Sequence, residues 1–132
     1  MNNMENIKSN FAFLCDLAFF SEGGKLNIIG VFKNIFGHKL PIVHPQMFIV
    51  SSVSIKGDGN YEEIIKVIRL KDNTEIISPL KFNLAVKGGQ EAEFGILGQL
   101  TNVKFEEAGQ YEIQIFINSE MIKKIPLSIT VN

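Results

Sequence analysis

The sequence is short of most residues that catalytic, metal-binding or disulfide-stapled proteins rely on. It has no tryptophan, one cysteine, two histidines and four prolines in 132 residues, and its charges nearly cancel at a net −1. A lone thiol, Cys15, cannot close an internal disulfide, which excludes a stapled secreted mini-domain and fits a reducing compartment. Thirteen basic side chains against fourteen acidic ones give no surplus to hold a phosphate backbone, so no nucleic acid is expected. The apolar run Phe11 to Phe20 is broken by Asp16 and is too short to span a bilayer. Only Lys8 precedes it, offset by Glu5, and no small-residue cleavage pattern follows, so it is not read as a secretory signal. The expectation is a soluble, cytoplasmic protein with no membrane partner.

Present instead are eleven phenylalanines and two tyrosines in a chain that is 45% hydrophobic, a composition suited to a dry core. Its length allows one domain. Residues 1–8 read as a loose lead-in and 9–132 as a single β domain. Phe11, Phe13, Cys15, Leu17 and Phe19 alternate as the inward face of a strand, and Leu26, Ile28, Gly30 and Phe32 continue that rhythm after a Gly23-Gly24 reversal. That is a hairpin signature, since both glycines accept the positive φ of a tight turn. A phosphate-binding loop would need a helix after it, and none is predicted.

Residues 37–46, with Pro41 and Pro45, read as a connection between sheets. Met47–Ile55 and Tyr61–Leu70 are expected to form a second hairpin around Gly57-Asp58-Gly59. A short helix over Tyr61–Leu70 is the weaker alternative, disfavoured by β-branched residues. Lys81–Lys87 alternates with Phe82, Leu84 and Val86 inward, and Phe94, Ile96, Gly98 and Leu100 share the next strand face. Tyr111, Ile113, Ile115 and Ile117 alternate in turn, and Ile125 to Val131 closes the chain with Pro126 marking an edge or a bulge. Turn signals about every ten residues predict an all-β, two-sheet antiparallel sandwich of about eight strands, immunoglobulin-like or of related Greek-key topology.

Two segments carry resemblances. Phe105-Glu106-Glu107-Ala108-Gly109-Gln110-Tyr111 resembles the tyrosine corner of immunoglobulin-like sandwiches, which implies a hydroxyl bonded back to the chain upstream. Neither the cysteine pair nor the buried tryptophan of a true immunoglobulin domain is present. Phe13-Leu14-Cys15-Asp16, Glu22-Gly23-Gly24-Lys25-Leu26-Asn27-Ile28-Ile29-Gly30-Val31-Phe32 and Leu40-Pro41 resemble a family of small uncharacterised bacterial proteins defined as a domain of unknown function. That resemblance implies a bacterial or phage setting and no established activity.

Chemistry-bearing candidates are sparse. Cys15 is read as a buried, inert thiol. Asp16 sits on an apolar face and must be solvated, bonded to turn amides or to Lys25 or Lys33, or used as a polar anchor for a partner. His38 and His44 flank the proline-containing connection, but two histidines without a third ligand do not make a metal site. Glu62-Glu63 and Glu106-Glu107 read as solvated strand ends. Neither a catalytic constellation nor a cofactor is expected. Both faces of the first hairpin (residues 11–36) are apolar, which suggests that a protein partner or a second copy of the chain covers one of them, with Asp16, Phe20, His38 and His44 as candidate contacts. The resulting expectation is a non-enzymatic protein-binding module, with an assembly subunit or an unfamiliar enzyme as alternatives.

Overall fold

A computed structural model describes residues 6–132, in which ten strands occur and no α-helix. In chain order they are β1 (Ile7–Ser21), β2 (Lys25–Val31), β3 (Asn34–Gly37), β4 (Ile42–Ile55), β5 (Gly59–Arg69), β6 (Thr74–Glu75), β7 (Leu80–Val86), β8 (Ala92–Phe105), β9 (Gly109–Ile117) and β10 (Glu120–Val131). The count exceeds the expected eight because two short pieces, β3 and β6, break what the sequence presents as connections. Of the stretch read as a lead-in, residues 1–5 lie outside the described residues, and Ile7 and Lys8 already pair with Ile55 and Ser54.

One sheet runs β2-β1-β4-β8 and the other β3-β10-β9-β5-β6, with β7 also paired to β5. Every ladder is antiparallel except that of β3 with β10. The two sheets form a sandwich whose main core joins Leu14, Met47, Ile49 and Leu100 of the first sheet to Ile65, Ile113, Ile115 and Leu127 of the second. Burying each such side chain contributes roughly 1.5–3 kcal/mol. A neighbouring cluster of Val53, Ile55, Leu84, Val86 and Ile117 continues the core toward one end.

Three expectations about pairing are corrected. β4 and β5 do not form a hairpin, because β1 and β8 already occupy both sides of β4; the turn after Ile55 carries the chain to the other sheet. The connection at 37–46 ends sooner than Pro45 suggests, since β4 starts at Ile42 and its ladder with β8 merely skips Pro45, resuming at Gln46–Thr101. The third correction is the inward face of β1. The β1–β4 register slips between Ser9 and Phe11, so a bulge at Asn10 reverses the parity of everything after it. Ala12 and Leu14 therefore enter the core, while Phe13 is 38% exposed on the outer surface. Asn10 is held at the bulge by amide hydrogen bonds donated to the Ser52 and Ser54 hydroxyls at 3.2 and 2.9 Å.

The second half follows its alternation. Leu84 and Val86 are buried between exposed Lys81, Asn83, Ala85 and Lys87, and the segment that had a helical alternative is β5. The corner forms as the resemblance implies: the Tyr111 hydroxyl donates to the Glu107 carbonyl at 2.7 Å, and its ring meets Phe105 edge-on at 5.2 Å. Beside it Arg69 makes a two-point pair with Asp72 at 2.9 and 3.1 Å and reaches Glu107 at 3.4 Å. Arg69 in turn holds the Asp72 carboxyl well below the usual carboxylate range.

Candidate functional site

The first hairpin has two unlike parts. From Ile7 to Cys15, β1 lies beside β4; past Cys15 that pairing stops, and the strand continues with β2 alone. The break falls at Asp16 and Gly30, where the β1–β2 register skips one pair and Gly30 adopts φ +70°. Asp16 fills the space a Cβ at Gly30 would need. Beyond this bend the hairpin tip lies across the outer surface of its own sheet. Leu26 and Ile28 pack with Ala18 against Cys15, Val50, Phe48 and Leu97, all on that outer surface. Phe20 reaches β8, its ring 3.2 Å from where a Cβ at Gly95 would stand, so glycine there is what lets the ring approach the strand this closely.

This fold-back answers half of what the two-sided apolarity posed. The sheet's own tip covers one face of the hairpin. The other face is left to solvent: Leu17 is 38%, Phe19 41% and Ile29 51% exposed, and Val31, on the far side of the Gly30 bend, is 52% exposed. Leu17 sits opposite Ile29, with Phe19 two residues along β1, so these three side chains are neighbours on one surface.

The residues singled out in the sequence do not converge. Cys15 is fully buried in the outer cluster, where burial raises its pKa above that of an ordinary thiol and its Sγ–H donates to the Leu17 carbonyl at 3.5 Å. Asp16 is exposed at the bend and, among the described residues, has no ion pair or side-chain hydrogen bond, so neither Lys25 nor Lys33 holds it. Phe20 lies on Gly95 with half of its surface exposed. His38 is exposed after β3, and His44 is a β4 side chain whose ring lies 5.6 Å from that of Phe32. Among the described residues no group of three or more His, Cys, Asp or Glu side chains is placed to hold a metal ion.

One residue departs sharply from its expected place. Glu63, expected at a solvated strand end, is fully buried between the sheets. Tyr61, Glu63, Ile65 and Val67 share the inward face of β5, a parity that the sequence carries once the acidic pair Glu62-Glu63 is split between the two faces. Among the described residues its carboxylate oxygens have no hydrogen-bond partner, and neither does the Ser51 hydroxyl, which is on the facing surface of β4. Burial pushes the Glu63 carboxyl up to about 6, against a smaller lowering by Ser51.

A family model matches residues 10–130, that of the family of unknown function DUF6941. The chain belongs to this family. No curated protein matches it. Among solved structures it is similar to the alkylpurine DNA glycosylase AlkC of Pseudomonas fluorescens bound to DNA containing an abasic site analogue. That match has 7% identity and a TM-score of 0.54, and covers 96% of this chain and 31% of the glycosylase. The chain thus spans about a third of the glycosylase's length, and the likeness is one of fold. An immunoglobulin-like protein from Pseudomonas aeruginosa is 10% identical over 93% of this chain and 95% of its own, with a TM-score of 0.49.

Proposed function

We propose that this member of DUF6941 is a non-enzymatic protein-interaction module that binds its partner through the outward surface of the first hairpin. The observation that carries the reading is the contiguous group of Leu17, Phe19 and Ile29, each more than a third exposed on a hairpin whose other face is already covered. Scattered single hydrophobics are ordinary on a protein surface, whereas a group of neighbours on one hairpin is the mark of a contact surface. Phe13 and Met121, both 38% exposed, add apolar surface elsewhere on the molecule. The chemistry of the other candidates favours binding over catalysis, since a desolvated Cys15 is a poor nucleophile and His38 and His44 lie on separate segments.

The test is a paired one. The Phe19→Ser/Ile29→Ser chain should still unfold cooperatively, at a modestly lower melting temperature, and lose a partner that the parent captures. Light scattering on the purified parent at micromolar concentration should give a monomer. A stable dimer dispersed by the double substitution would instead assign the surface to self-association, the assembly reading, and capture that survives the substitutions would contradict both.

A further inference from the structure

The sandwich has an open seam beside the first hairpin. Among the described residues, β1 from Ile7 to Phe13 has β4 on one side and no strand on the other, because β2 joins only from Cys15 onward. Likewise, among the described residues, β10 from Glu120 to Leu127 pairs with β9 alone, because β3 joins only at Ser128. Between these two edges lies a groove of about 210 Å³, lined by Phe13, Leu14, Lys33, Lys123, Lys124 and Pro126. It is smaller than the roughly 300–1,000 Å³ of a usual small-molecule pocket, and is of a size for one large side chain of a partner.

Its charge is one-sided. Lys33, Lys123 and Lys124 are exposed and make no ion pair among the described residues, whereas the carboxylates that do pair are engaged by Lys56, Lys66, Arg69, Lys71 and Lys104. The same features argue against a second copy as occupant. An identical edge would bring its own lysines against these. What fits is an extended chain of opposite charge, with carboxylates facing the lysines and an apolar side chain against the exposed Phe13 and Val31.

We propose that this seam is a docking groove for an acidic, extended segment of a partner protein. The proposal rests on the interaction reading above and gives the partner its chemistry, the groove lying next to the exposed Val31 of the hairpin. The experiment selects a display library of random dodecapeptides against the immobilised full chain and measures the winners by fluorescence anisotropy. Enriched peptides should carry two or more carboxylates around a large apolar residue. They should weaken by about tenfold or more on the Lys123→Glu/Lys124→Glu chain. They should also bind the Phe19→Ser/Ile29→Ser chain as they bind the parent. Both variants change residues at the surface, and cooperative thermal unfolding establishes that they fold. No enrichment, peptides without carboxylates, or affinity indifferent to the charge reversal would overturn the groove. Binding lost only with the hairpin substitutions would overturn it while leaving the interaction reading in place, and a dimer dissolved by the charge reversal would place a second copy there instead.

Discussion

β9 with β10 and β1 with β2 are both antiparallel hairpins rich in isoleucine and phenylalanine, and they dispose of their apolar surface in opposite ways. In β9 the side chains of Tyr111, Ile113, Ile115 and Ile117 are at most 1% exposed, with polar residues or Phe116 between them on the outward face. In the tip of the first hairpin both faces are apolar; one is spent on the outer surface of its own sheet, and the other stays open. A strand that alternates cleanly needs only the core to satisfy it, whereas one that is apolar on both sides needs a second contact. Gly30 and Gly95 are what make the fold-back possible, the first by bending the hairpin and the second by clearing room for Phe20.

If β9 belongs wholly to the core, cutting into it should have the largest effect on stability. Ile115→Ala, at a fully buried site, should cost about 3–4 kcal/mol in urea unfolding. Glu63→Gln should act in the opposite direction, because the same inward surface holds a carboxyl with no hydrogen-bond partner. Its folded pKa of about 6 lies above the ordinary 4.5, so the stability tied to its protonated form is complete below pH 4.5 and is lost as pH rises to 6. The glutamine variant should be more stable than the parent at pH 7 by about 2 kcal/mol and should lack the parent's decline between pH 4.5 and 6. The depressed Asp72 titrates below that window and does not mask the effect. Tyr111→Phe removes one hydrogen bond, at 2.7 Å, and should lower stability by about 1 kcal/mol with the fold retained. Phe19→Ser/Ile29→Ser removes two side chains that are each about half exposed, and should lower the unfolding free energy by about 1 kcal/mol per side chain, well below the loss at a single buried β9 residue. A loss near that of Ile115→Ala would erase the contrast between the two hairpins.

The second half of the molecule is legible in the sequence because its strands keep a strict period of two from Lys81 to Lys87 and from Tyr111 to Ile117. The tyrosine corner is readable for a different reason, a local motif that sets its own hydrogen bond. The inward face of β1 is not, because one extra residue at Asn10 inverts parity without altering composition, and the run after it is apolar on either phase. The expected β4–β5 hairpin fails on a property no local pattern carries, namely that β1 and β8 already hold both edges of β4. The hairpin's two-sided apolarity is visible, but that its own sheet covers one side depends on Gly95, about 75 residues from Phe20 in a chain whose folding brings them into contact. The groove lysines carry no sequence signal because Lys33 and Lys123-Lys124 are far apart in the chain and meet only across the seam.

The most direct test of the central claim, that the outward surface of the first hairpin is a contact surface, is a photo-crosslinking amino acid placed at Phe19 and, separately, at exposed Lys81 on β7, in the cells that make the protein. A discrete adduct with another protein is expected from position 19 and none from position 81. No adduct at position 19, or the same adducts from both positions, would contradict that claim.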